Sequence, residues 1–251
     1  MIGIIRAEFI KLKRLHILLI GMIGMSFPAI LSIFTQKVTI PEKQIRNFDF
    51  TTLFNHTVWN STTIFMPVIF TLMGGYLINL EYKNDTLKNL STIPISFPRL
   101  IYGKLIAMSI ISILLGYYSY FITLIVGSIT GLTVPDLTPL LKGFKQMTVL
   151  SLCTYISVLP IIVFTSRKQD AFMGGVVVSF LFGYFSMFIK NATLRSIYPI
   201  LAGLTIIRFD TNQYMNTSGS GSFIISLITM AILLLLTNLL IIMSYSGNAH
   251  T

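Results

Sequence analysis

Charge is scarce in this chain of 251 residues: Asp, Glu, Lys and Arg make up only 10% of it, against roughly a quarter in ordinary soluble domains. With 54% apolar residues and a mean hydropathy of +0.80, that scarcity excludes a soluble globular domain and places the chain in a membrane. Cysteine is nearly absent. The single Cys153, inside an apolar run, excludes a disulfide framework and any cysteine-based metal spacing. His16, His56 and His250 fall in a flank, a loop and the tail, so they make neither a His-Glu-xx-His helix nor a shared metal site. Acidic residues number 8 against 18 Lys and Arg. The resulting +10 would suggest nucleic acid in a soluble protein. Here the cations flank apolar runs, where anionic headgroups attract them, and no basic, aromatic-interleaved patch is left for DNA or RNA.

Long apolar runs are what the chain does have. Six are long enough to cross about 30 Å of hydrocarbon, which takes about 20 helical residues. They lie near 15–35, 58–78, 105–130, 146–165, 171–189 and 223–243. None contains Lys, Arg, Asp or Glu. The expected fold is therefore all-α: one transmembrane domain over 1–251 with six spans, and all its charges in the connections. That placement argues against a proton relay or a buried ion site. Residues 1–14 set Ile2, Ile5, Phe9 and Leu12 at helical spacing among Arg6, Lys11, Lys13 and Arg14. This reads as a helix in the headgroup layer or as a positive anchor for the first span.

With the N-terminus inside, Arg6, Lys11, Lys13, Arg14, Lys83, Lys88, Arg99, Lys104, Arg167 and Lys168 are cytoplasmic. Lys37, Lys43, Arg46, Lys142, Lys145, Lys190, Arg195 and Arg208 are then outside. The four cations before the first span favour this orientation and put both termini in the cytoplasm. The outer loop 36–57 is too apolar for a free loop and is expected on the outer leaflet or against a partner. Pro28, Pro67 and Pro160 read as kinks, and the pairs Gly74-Gly75 and Gly174-Gly175 and the spacing Gly127-xxx-Gly131 as packing positions. Residues 190–222 hold an apolar middle too short to cross, which suggests a re-entrant or interfacial outer segment, with a seventh span as the alternative.

The connection 79–104 carries Lys83, Lys88, Arg99 and Lys104 with Glu81 and Asp85. Asp85 suits a helix cap, Leu87 and Leu90 fall three apart, and Pro94 and Pro98 end the run. The stretch reads either as a short amphipathic helix on the cytoplasmic surface or as a solvated turn. No catalytic set emerges. The nearest approach to a phosphate-binding loop, Gly103-Lys104, has Pro98 where the first glycine belongs and Leu105 where a hydroxyl belongs.

The pattern Glu81-xxxx-Thr86-Leu87-Lys88-Asn89-Leu90-xxx-Pro94-xxxx-Arg99-xxxx-Lys104, on this topology, resembles the permeases of bacterial ABC exporters with six spans per half, of the lantibiotic-immunity and bacitracin-resistance type. Asp85 stands where the family commonly has glycine, and Pro98 is an additional break. The resemblance implies a multi-pass protein of the bacterial cytoplasmic membrane. Its opening helix would be a connector, and 79–104 a coupling loop seated in a groove of an ABC ATPase dimer. Glu81, Lys83, Asp85, Thr86, Leu87, Lys88, Leu90, Pro94 and Arg99 would make up that coupling surface. The resemblance also implies a second permease, either the same chain or a paralogue. ATP and Mg would then bind the partner ATPase and no cofactor this chain. Tyr117, Tyr118, Tyr120 and Phe121 on the third span would suit an amphipathic substrate such as a membrane-active antimicrobial peptide, though each could equally be interfacial or core. A polysaccharide or another lipophilic substrate is the alternative cargo. From other classes, a membrane-embedded enzyme and a non-transport anchor or sensor subunit remain open.

Overall fold

The computed structural model describes residues 2–14, 16–39, 48–83, 97–166, 168, 170–215 and 221–246. Those residues form helices and turns, with no strand among them. In chain order the helices are α1 (Ile2–Arg14), α2 (Ile17–Val38), α3 (Phe50–Asn60), α4 (Met66–Lys83), α5 (Phe97–Ile129) and α6 (Leu137–Thr165). There follow α7 (Phe172–Phe185), the short helices α8 (Ala192–Ile197), α9 (Pro199–Ile206) and α10 (Asn212–Met215), and finally α11 (Phe223–Ser246). Five stretches have the length and apolarity to cross a membrane: Ile17–Val38, Phe50–Glu81, Pro98–Ile129, Leu137–Thr165 and Phe223–Met243. The sixth, α7 extended by the 3-10 turn Ser186–Phe188, rises about 27 Å, close to the thickness of the hydrocarbon layer. The protein is thus an all-α polytopic membrane protein.

Several helices run further than their apolar cores. The Asp49 side chain caps α3, accepting from the Thr52 amide at 2.8 Å and the Thr52 hydroxyl at 2.7 Å. These two bonds hold its carboxyl below the usual range. From that cap α3 continues without a break into α4 through a π-helical turn, Ser61–Phe65. Phe50, Leu53 and Phe54 are buried inside the chain's own bundle, which accounts for the apolar character of this half of the loop without a partner. Residues 40–47 lie outside the described residues. Pro67 sits one residue into α4. A proline has no N–H for the carbonyl four residues back, here Thr63, and the wider turn just before it absorbs that break in the ladder.

Burial sorts the spans. The apolar windows of α3–α4 and α6 are 67% and 61% buried, whereas those of α2 and α11 are 33% and 22% buried. So α4 and α6 form the centre, with α7, α5 and α2 packed on α4, and α5, α11 and α9 on α6. The exposed faces of α2 and α11 carry residues such as Ile20, Ile23, Phe27, Leu235 and Met243, which a lipid environment accepts without penalty.

Glycines set the closest approaches. A Cβ on Gly74 would meet Ile162 at 2.9 Å, one on Gly75 would meet Phe172 at 2.7 Å, and one on Gly127 would meet Phe50 at 3.0 Å. These positions pack within one chain, while Gly174 faces open space and Gly131 adopts φ +80 in a turn. The tightest contact is Gly183 on α7: a Cβ there would stand 2.2 Å from the Thr63 carbonyl oxygen.

At one end of the bundle, here the near end, lie α1, the end of α4, the start of α5 and the turn before α7. At the far end, residues 190–215 form α8 to α10. The Asn191 side chain caps α8, and Pro199 occupies the first turn of α9, where its missing N–H costs nothing. Ile200, Leu201, Ala202 and Leu204 are buried on α6 and α11, so the short apolar stretch is satisfied by protein. Tyr214 of α10 stacks on Trp59 at 4.8 Å and on Phe209 at 5.9 Å, and meets His56 edge-on at 5.4 Å. This aromatic cluster joins α3 to the 190–222 segment.

Candidate functional site

Four charged side chains meet at the near end. Lys104, in the second turn of α5, donates to Glu8 Oε2 of α1 at 2.8 Å and lies 2.8 Å from Glu81 Oε1 near the end of α4. Lys11 donates to the same Glu81 oxygen at 3.0 Å and to Glu8 Oε1 at 3.2 Å. The Lys104 and Glu8 side chains are each 2% exposed and that of Glu81 is 5% exposed, while Lys11 is half-exposed. Two ammonium and two carboxylate groups make the cluster neutral, and the mutual hydrogen bonds offset a desolvation that would be costly for any one of them alone. Burial pulls the Lys11 ammonium pKa down, but the Glu81 and Glu8 carboxylates outweigh it and hold it above its ordinary value.

The cluster changes how residues 79–104 are understood. Glu81 and Lys104 belong to helices and are buried, so the connection shrinks to 84–96, which lies outside the described residues together with Asp85, Thr86, Leu87, Lys88, Leu90 and Pro94. The backbone of Lys83 ends α4, and Arg99 is exposed in the first turn of α5. The charges are not all in solvated connections either, although the buried carboxylates are each matched by a lysine. The two arms of the 84–96 connection are thereby clamped to each other and to α1. Next to them, Asn79 and Asp170 exchange hydrogen bonds: the Asn79 amide donates to Asp170 Oδ1 at 3.1 Å, and the Asp170 N–H donates to Asn79 Oδ1 at 3.0 Å. That exchange holds Asp170 at φ 60, a conformation aspartate tolerates better than most residues, and ties the turn before α7 to α4.

Sequence reasoning missed Glu8. Its signal is present: a lone acid four residues before the buried Leu12 and three before Lys11 stands on the face that packs inward. No sequence signal points to the Asn79–Asp170 pair.

The four aromatics of the third span do not converge. Tyr117, Tyr120 and Phe121 share one face of α5 and gather about Phe144 of α6, at 4.9, 5.4 and 6.3 Å. Tyr120 is buried and donates to the Leu140 carbonyl at 2.9 Å, while Phe121 is largely exposed. Tyr118 points the other way. Its hydroxyl shares a hydrogen bond with Ser26 of α2 at 2.8 Å, beside an apolar groove of about 620 Å³ lined by His16, by α2 residues from Leu18 to Ile30 and by Tyr118 itself.

The profile of the family described as "ABC-2 family transporter protein" matches residues 4–186, which takes in α1, the ion-pair cluster and α2 to α7. Among curated proteins, the bacitracin transport permease protein BCRB of Bacillus licheniformis is 26% identical over 164 residues, covering 65% of this chain and 77% of that protein. No solved structure matches. Members of the family are transmembrane subunits whose ATPase is a separate subunit. With the match extending over most of the chain and over the near-end cluster, this protein belongs to the ABC-2 family of transporter membrane subunits.

Proposed function

We propose that this chain is the permease of an ATP-driven exporter that clears a membrane-active antimicrobial peptide from the bacterial cytoplasmic membrane. The carrying observation is the buried cluster that clamps α1 to both arms of the 84–96 connection. A nucleotide-driven subunit moves a permease only if it grips the inward and outward forms unequally. A connection whose two arms are locked to a surface helix is suited to pass such a pull into α4, α5 and α1 together. In this reading both termini face the cytoplasm, and ATP and Mg bind the partner ATPase dimer. A second permease, either another copy or a paralogue, completes the transporter. The apolar, mostly uncharged faces of α2 and α5 suit an amphipathic cargo, and a relative named for bacitracin transport favours a peptide over a polysaccharide.

Leu87 and Leu90 would be the apolar residues seated in the ATPase groove. The double variant Leu87→Asp/Leu90→Asp is expected to insert in the membrane normally yet lose its ATPase on co-purification, because burying an unpaired carboxylate costs several kcal/mol, about a hundredfold or more in affinity. Wild-type recovery of the ATPase would reduce the connection to a solvated turn.

The cargo is tested by the amount of peptide retained in membranes. Cells expressing the permease with its cognate ATPase should hold less of one cationic antimicrobial peptide than cells whose ATPase cannot hydrolyse ATP, and should survive a higher dose. Equal retention across a panel of such peptides would discard peptide export in favour of another lipophilic substrate.

A further inference from the structure

At the far end, a cavity of about 440 Å³ opens between α8, α9 and the start of α11. Two arginines, the buried Arg195 and the exposed Arg208, are among its lining residues, with one acid, the exposed Asp210. Its size is that of a small-molecule site. Arg195 is 3% exposed and is oriented by a hydrogen bond from its Nη1 to the Thr211 hydroxyl. Asp210 is committed in part to the backbone, accepting from the Asn212 N–H at 2.9 Å.

Arg208 is the more telling residue. After α9 the Phe209 N–H bonds the Leu204 carbonyl and the Arg208 N–H bonds the Thr205 carbonyl, each at 3.0 Å, a helix ending that puts its second-last residue in the left-handed region. Glycine suits that position. Arginine holds it instead, at φ 54, and a side chain kept at a strained position on a cavity wall points to a use for that side chain. Phe223 closes another part of the wall, and it and Ile224 are exposed where α11 begins its apolar run. An occupant with its anion between the arginines would lay its apolar part along these two residues.

We propose that this cavity binds the phosphate headgroup of an anionic phospholipid in the leaflet at the far end, holding the 190–222 segment to the membrane. Guanidinium forks match phosphate oxygens two at a time, and the neighbouring Phe223 and Ile224 face where acyl chains begin. The inference needs only the membrane embedding of the family and is independent of the cargo.

The test uses full-length protein in a neutral detergent and measures binding of short-chain phosphatidylglycerol, short-chain phosphatidylcholine and inorganic phosphate. The wild type should bind phosphatidylglycerol more tightly than either of the others. Arg208→Gly, which relieves the backbone and should melt no lower than the wild type, should weaken phosphatidylglycerol binding by roughly tenfold. Lys37→Gln, the same charge change elsewhere on the far end, should leave it intact. Equal binding of the two lipids, phosphate binding as tight as the lipid, or equal losses in the Arg208 and Lys37 variants would each overturn the proposal.

Discussion

Lys104→Met is expected to lower the stability of the purified protein by about 3–5 kcal/mol, the usual result of removing one partner from a buried ion pair. Glu8 and Glu81 would be left in the cluster with Lys11 alone, a net negative charge in a site where Lys104 and Glu8 are nearly inaccessible. For a chain of this length the loss corresponds to a melting temperature lower by on the order of ten degrees. The double variant Glu8→Gln/Lys104→Met keeps the neutral Lys11–Glu81 pair and should recover at least about half of that loss, as a double-mutant cycle of coupled residues requires. Thermal unfolding in detergent measures all three. A double variant as unstable as the sum of its two singles would show that the four groups do not act as a unit.

The second large effect has opposite signs at two glycines of the same helix. Gly183→Ala should destabilise the protein by about 1–3 kcal/mol or more, because its Cβ would stand 2.2 Å from a backbone oxygen that no rotamer change can move. α7 would have to back away from α4 at the very turn where Pro67 has already removed a helical N–H. Gly174→Ala, with nothing within 4 Å of its Cβ, should instead gain about 0.5–1 kcal/mol from the lower chain entropy of alanine. The two variants, compared by melting temperature in one detergent, should move apart. Movement in the same direction would contradict the close packing of α7 on the π-helical turn.

The spans were legible because hydrocarbon demands long uncharged runs, and α2, α5, α6 and α11 follow that demand closely. Their ends were less so. α6 begins at Leu137 rather than near 146, carrying Lys142 and Lys145 on its first turns, since long cations at a membrane boundary do not end a helix. Nothing in local composition says that Lys104 is buried. Its burial depends on Glu8, which stands 96 residues away, and a pairing of that separation leaves no periodic trace. The same limit applies to the far end, where Trp59 and Tyr214 meet only in the folded chain. The two outermost charges of the 81–104 pattern, Glu81 and Lys104, lie in helices and hold α1 in place, which the pattern alone does not reveal.

The ion-pair cluster also orders events during synthesis. α1 leaves the ribosome well before α5, and its buried carboxylate acquires the Lys104 ammonium only after a further 96 residues. At 5–20 residues per second, that is an interval of roughly 5–20 seconds. Over that interval Glu8 has only the half-exposed Lys11, three residues along the same helix, as its charged partner within α1. The arrival of α5 then supplies the buried ammonium that closes the cluster, so α1 becomes a reporter of insertion: its full set of ion pairs exists only on chains whose first three spans are already in the membrane.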